Sequence, residues 1–113
     1  MIKIYHNNRC GKSRSGLKIL EASGKEFEII NYLEVIPDRE ELENIIHLLG
    51  IKPIDLVRKN EAIWKSDYKG KMLTDFQIID TMLKFPKLIE RPIVINNNKA
   101  IIARPPELIK DII

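Results

Sequence analysis

Cysteine is almost missing from this 113-residue chain: there is one, Cys10. A lone thiol cannot close a disulfide within its own chain, which excludes the disulfide-stapled class of small secreted domains. No apolar run approaches the roughly 20 residues that a membrane-spanning helix needs. No leader is expected ahead of the fold, because Met1-Ile2-Lys3-Ile4-Tyr5 already reads as a strand. The expected compartment is therefore the cytoplasm, where a thiol stays reduced. Charge of one sign is also scarce. Nineteen basic against 16 acidic residues leave +3, which suits a small anionic substrate. There is no basic stripe with interleaved aromatics, so nucleic acid is not an expected partner, and neither is a membrane. No Cys/His cluster has metal-ligand spacing and no Gly-rich phosphate loop appears, so neither a metal nor a bound cofactor is expected.

What remains is an ordinary globular composition, 44% hydrophobic and 31% charged, in a chain long enough for one core. Ile2-Lys3-Ile4-Tyr5 alternates as a strand does. Leu17, Ile19 and Leu20 belong to a helix that Ser23-Gly24 terminates. Phe27-Glu28-Ile29-Ile30 reads as a second strand, and so compact a strand–helix–strand order implies a parallel pair with a crossover helix. Pro37 and an Asp38/Glu41 capping signature precede Leu42, Ile45, Ile46 and Leu49 at helical spacing, with Gly50 as the stop. Pro53 opens a short helical turn through Leu56 and Val57. Residues 58–70 read mostly as loop. Thr74 and Gln77 form a second capping signature before Phe76, Ile79, Met82 and Leu83, and Pro86 breaks that pattern. Ile93-Val94-Ile95 and Ala100-Ile101-Ile102 flank an asparagine turn at Asn96-Asn97-Asn98. Pro105-Pro106 opens a last helix with Leu108, Ile109 and Ile112. The fold class implied is α/β, a thioredoxin-like mixed sheet built from βαβ plus ββα. The expectation is a single domain over 1–113 with a helical insertion at roughly 37–90 between the two halves.

Cys10 stands in His6-Asn7-Asn8-Arg9-Cys10-Gly11-Lys12-Ser13-Arg14, between a strand and a helix. A thiol just before a helix meets unpaired backbone N–H groups and the positive end of the helix dipole, both of which favour the reactive thiolate. The same N–H groups can cradle an oxyanion. A free cysteine is more often a small buried hydrophobe, and the polar, glycine-containing surroundings of Cys10 bring the reactive reading level with that one. Ser13 occupies the place where a C-x-x-C protein carries its second cysteine. A single redox thiol has no partner in its own chain, so an external thiol must resolve it, and glutathione and glutaredoxin-type proteins are the abundant cytosolic candidates.

Arginine suits multidentate oxyanion binding, since its planar fork keeps its charge. Arg58 ends the short turn at Leu56-Val57, Arg91 precedes Pro92 and a strand, and Arg104 follows a strand and precedes Pro105. A residue before proline is pushed toward extended backbone, which fixes its side-chain direction. In a thioredoxin-like layout the X-Pro at a strand start often lies beside the active cysteine, in some cases as a cis bond, and this would aim Arg91 at Cys10. Seen singly, each of these arginines reads more readily as a solvated surface residue. His6 can help hold the thiolate or simply support the loop. His47, Tyr32, Trp64 and Tyr68 read as structural.

Taken together these residues resemble the glutaredoxin-coupled arsenate reductase family of bacteria, nearly end to end. Ile4-Tyr5-His6-Asn7 leading to Cys10 and Ser13-Arg14 is similar to the family's active-site opening. Tyr32-Leu33-Glu34, Leu56-Val57-Arg58-Lys59, Glu90-Arg91-Pro92-Ile93-Val94 and Arg104-Pro105-Pro106-Glu107 resemble its later landmarks, in order. The resemblance implies a thioredoxin-like oxidoreductase that reduces arsenate to arsenite. Cys10 would be the catalytic nucleophile, and Arg58, Arg91 and Arg104 the oxyanion-binding residues. His6, Asn7, Ser13 and Arg14 would support the active-site loop. Glutathione would be the co-substrate and glutaredoxin the resolving partner, with a monomer as the default state. The family usually has proline where this chain has Asn8.

Two other readings use the same residues differently. A glutathione-dependent thiol oxidoreductase acting on another small electrophile or mixed disulfide would need the same thiol. A non-enzymatic, redox-responsive regulator binding RNA polymerase typically carries C-x-x-C as its switch. Ser13 and the arginine trio argue against the regulator.

Overall fold

A computed structural model describes all of residues 1–113. The chain divides into two compact units, Met1–Val35 with Arg91–Ile113, and Ile36–Glu90. No helix is long and apolar enough to cross a membrane.

The first unit is built around a four-stranded sheet. Strand β1 (Ile2–His6) leads through a short turn into helix α1 (Gly11–Ser23), and β2 (Phe27–Asn31) follows. The later strands are β3 (Ile93–Asn96) and β4 (Lys99–Ile102). The spatial order is β2-β1-β3-β4. β1 runs parallel to β2 with Ile4 opposite Ile29, and antiparallel to β3 with Ile4 opposite Val94. β3 pairs antiparallel with β4. This is the thioredoxin-like mixed sheet, a βαβ half joined to a ββα half.

The alternation in β1 sends Ile2 and Ile4 to one face, where they meet Leu20 of α1, Val94, Ala103 and Ile109 in one buried cluster. Leu17, Ile19, Phe27 and Ile112 pack around it. Gly24 ends α1 in the left-handed conformation (φ 73°), as its position in the sequence requires. The hairpin turn places Asn97 at φ 57°, which asparagine tolerates better than other side chains. The terminal segment is helical, as expected, but it is a 3₁₀ helix over Pro106–Asp111 rather than an α-helix. Both Arg91-Pro92 and Arg104-Pro105 are cis.

The second unit is helical. α2 (Arg39–Leu49) starts at the predicted cap, with Asp38 accepting the Glu41 N–H at 2.8 Å, and stops at Gly50. A 3₁₀ turn spans Pro53–Leu56. α4 (Asp75–Lys84) opens on the reciprocal Thr74–Gln77 capping box and packs against α2 and the Pro53–Leu56 turn. The reading of residues 58–70 as mostly loop is corrected: a short helix α3 (Ala62–Asp67) lies there. Trp64, buried, stacks on Tyr68 with ring centroids 5.6 Å apart, and Tyr68 meets the edge of Phe85 at 6.4 Å. Six residues carry too little periodicity to announce a helix, and this aromatic packing supplies what local propensity lacks.

Gly16 is buried in α1, and a Cβ there would lie 3.2 Å from Ile109 Cδ1 and 3.2 Å from Pro92 Cγ. The helix therefore packs at close range on the residue that follows Arg91. Gly16→Val forces a branched three-carbon side chain into this contact and should destabilise the protein by about 1–3 kcal/mol. A lowered urea midpoint with an unchanged slope is the expected result.

Candidate active site

The strand β1 ends on a tight turn, in which Cys10 N–H donates to the Asn7 carbonyl at 3.0 Å. Arg9 N–H donates to Asn7 Oδ1 at 3.0 Å, and Arg14 Nη1 donates to the Asn8 carbonyl at 3.1 Å. Asn8 sits exposed in this turn and offers its carbonyl to Arg14. The fixing group is Ser13, whose hydroxyl is fully buried. Its Oγ accepts from Asn7 N–H at 3.0 Å and lies 2.7 Å from His6 Nδ1. The end of the strand and the first turn of the helix are thereby tied to one atom.

Cys10 is the N-cap residue of α1, in extended conformation (φ −94°, ψ 124°) and half-buried. Its sulfur faces the Lys12 and Ser13 N–H groups without completing a cap hydrogen bond, so their effect on it is electrostatic. Burial pushes the thiol pKa up, but the Ser13 N–H, a hydrogen bond from the Arg91 side chain together with its charge, and the Lys12 N–H outweigh burial. The net result is a thiol held below its ordinary range and biased toward thiolate. His6 is buried, and desolvation is the main reason its pKa falls; a contact with Ser13 opposes this, and the Arg14 charge adds to it. At neutral pH the ring is uncharged. An uncharged ring can take the Ser13 hydroxyl proton at Nδ1, which leaves the oxygen lone pairs for Asn7 N–H.

Arg91 is buried and reaches Cys10 from the start of β3. Arg104, exposed at the end of β4, donates from Nη1 to the Arg91 carbonyl at 3.1 Å. Ala103 N–H donates to the Pro92 carbonyl at 2.9 Å, which clamps the two Arg-Pro segments side by side. An open depression of about 580 Å³ lies over the thiol, lined by Cys10, Lys12, Arg14, Ser15, Lys18 and Arg104. Apart from the cysteine, every ionisable group on its wall is cationic. A nucleophilic sulfur in such surroundings can attack a small electrophilic oxyanion and hold the charge of the adduct.

The structure thus brings together Cys10, His6, Asn7, Ser13, Arg14, Arg91 and Arg104. Arg58 belongs to the second unit, where it pairs with Glu61 and lies 3.4 Å from Glu90. Its N–H donates to the Leu88 carbonyl at 2.7 Å. Sequence reasoning missed Lys18 and Ser15 on the wall of the depression. Their spacing from Cys10 along α1 was the available signal, because residues 11, 15 and 18 share one helix face.

Residues 5–112 match the model of the ArsC family. The chain belongs to the ArsC family. It is 40% identical over 114 residues to the "Uncharacterized protein YfgD" of Escherichia coli (strain K12), covering 99% of this chain and 96% of that protein. It is 43% identical over 113 residues to an arsenate reductase of Escherichia coli, covering 99% of this chain and 80% of that one. Its fold is similar to that of an arsenate reductase from Vibrio cholerae, with a TM-score of 0.94 and 39% identity over 99% of this chain and 97% of the other. Membership is consistent with the geometry, since the matched span contains the cysteine loop and both Arg-Pro segments.

The site makes a direct prediction about thiol reactivity. The rate of Cys10 alkylation by iodoacetamide should rise through a midpoint below that of an ordinary cysteine. Arg91→Met removes a positive partner and moves the midpoint upward, so the variant alkylates more slowly at pH 7. An unmoved midpoint would show that Arg91 does not hold the thiolate.

Proposed function

We propose that this chain is an arsenate reductase that works through one nucleophilic cysteine, with glutathione and glutaredoxin supplying the electrons. The observation that carries this reading is Cys10 beside buried Arg91, lining a depression whose other ionisable groups are all cationic. The names of its ArsC-family relatives support arsenate as the oxyanion.

In the first step the Cys10 thiolate attacks arsenic(V), a sulfur–arsenic bond forms, and water leaves. Arg91 and Arg104 neutralise the arsenate oxygens as charge builds. The thiolate of glutathione then attacks the Cys10 sulfur. A sulfur–sulfur bond forms, the sulfur–arsenic bond breaks with its electron pair left on arsenic, and arsenite departs. Glutaredoxin attacks the glutathione sulfur of the mixed disulfide and returns Cys10 as thiolate. The second thiol must come from outside, because the chain has no other cysteine. Ser13 holds the loop that presents Cys10, and the uncharged His6 ring completes the hydrogen bonding of that hydroxyl.

The test is arsenate-dependent NADPH oxidation with glutathione, glutaredoxin and glutathione reductase. Cys10→Ser should abolish turnover. Arg91→Ala and Arg104→Ala each remove charge-assisted hydrogen bonds to the oxyanion and should lower kcat/KM for arsenate by about 10–100-fold. Turnover surviving in Cys10→Ser would end the proposal. A wild-type protein with a reactive Cys10 and no arsenate turnover would point instead to a thiol oxidoreductase for another electrophile or mixed disulfide.

A further inference from the structure

The depression over Cys10 is larger than the oxyanion requires. A tetrahedral oxyanion displaces the volume of two or three waters, at about 30 Å³ each, against about 580 Å³ of open space. Room of that size suits a peptide-sized ligand. Among the cations that line it, Arg14 and Arg104 are bound to loop carbonyls, at 3.1 Å in both cases. Lys12 and Lys18 are exposed and form no ion pair. Lys12 sits in the first turn of α1, next to the reacting sulfur. Lys18 stands farther along the groove.

We propose that Lys18 recognises a carboxylate of the attacking thiol, so that the groove selects an anionic, peptide-sized thiol over a neutral one. This rests on the reading that an external thiol reacts at Cys10. Eight residues of helix place Lys18 about 12 Å beyond Cys10 along the axis. Side chains on an α-helix lean back toward its N-terminus, so the ammonium swings over Ser15 toward the sulfur. Ser15 is small and exposed, and Arg14, the large side chain between the two, is held on the Asn8 carbonyl. A carboxylate one or two residue lengths from the attacking sulfur, about 4–7 Å, spans what the lysine stem does not. No acidic side chain lines the depression, so the lysine is left for the ligand. Past Lys18 the surface becomes mainly apolar, at Ile19, Ala22 and Ile113, so a carboxylate has no other cation before Lys110.

The experiment leaves arsenate out. Cys10 thiolate attacks a small disulfide, forms a mixed disulfide and releases one thiolate, and the mass shift gives the rate. Glutathione disulfide, with four carboxylates, is compared with neutral 2-hydroxyethyl disulfide. Lys18→Glu should lower the ratio of the two rates about 5–10-fold at low salt, as expected for reversing one exposed charge next to a carboxylate. Lys18→Arg should keep the wild-type ratio, and added salt should shrink the wild-type preference. A ratio that is the same in wild type and Lys18→Glu overturns the inference and leaves the arsenate reading intact. A wild-type Cys10 that reacts with neither disulfide overturns the external-thiol reading, and this inference with it.

Discussion

The hydroxyl of Ser13 holds together everything that the site needs. It is fully buried, accepts from Asn7 N–H at the end of β1, and meets His6 at 2.7 Å. A hydroxyl offers one proton and two lone pairs, and here a neutral imidazole and a backbone N–H can use them. A charged imidazole could only donate, to the second lone pair, and would leave the hydroxyl proton without this acceptor. Burial and the nearby Arg14 prevent that by lowering the pKa of His6. In this arrangement Cys10 stands at the N-cap of α1.

From there the electrostatics of the thiol are a contest. Burial is the largest single effect and opposes the thiolate, and the Ser13 N–H, Arg91 and the Lys12 N–H together outweigh it. Two of those three come from the helix start and need only that Cys10 be at the N-cap. The third depends on tertiary structure, because Arg91 comes from the opposite half of the sheet, through β3. Its direction is secured by the neighbouring Arg-Pro segment. Arg104 grips the Arg91 carbonyl, and Ala103 N–H grips that of Pro92. Gly16 lets α1 approach the same Pro92 at van der Waals range. The packing of the core and the state of the thiol are thus coupled through one proline.

Much of this was legible in the sequence. Strands β1 and β2, the capped helices α2 and α4, and the asparagine turn all announce themselves through period and punctuation, and the structure places them there. The approach of Arg91 to Cys10 followed from its place before a proline at a strand start. The short helix α3 was hidden, because six residues offer no period and its stability comes from Trp64 and Tyr68. Beside Arg58 the structure places two carboxylates, Glu61 and Glu90, that the sequence did not announce. One of these is three residues away and the other thirty-two, and no local pattern joins them. The role of Ser13 was half visible: its place three residues after Cys10 was clear, and its burial was not.

That burial bears on how the proposed reaction would run with a single cysteine. A protein that stores oxidation in its own disulfide must bring a second sulfur to about 2 Å from the first, and its loop must rearrange to do so. Here position 13 is the support of the loop, and its side chain is spent on Asn7 and His6. A loop held that tightly presents a thiolate in one orientation and has no second sulfur with which to rearrange. In the reaction proposed above, resolution arrives from solution, through whatever space the cysteine leaves open. The depression beside α1 is such a space, broad, cationic and open to a thiol that carries its own negative charge. On that proposal the held loop and the breadth of the groove are two sides of one arrangement, in which the protein would supply the nucleophile and a soluble thiol the motion.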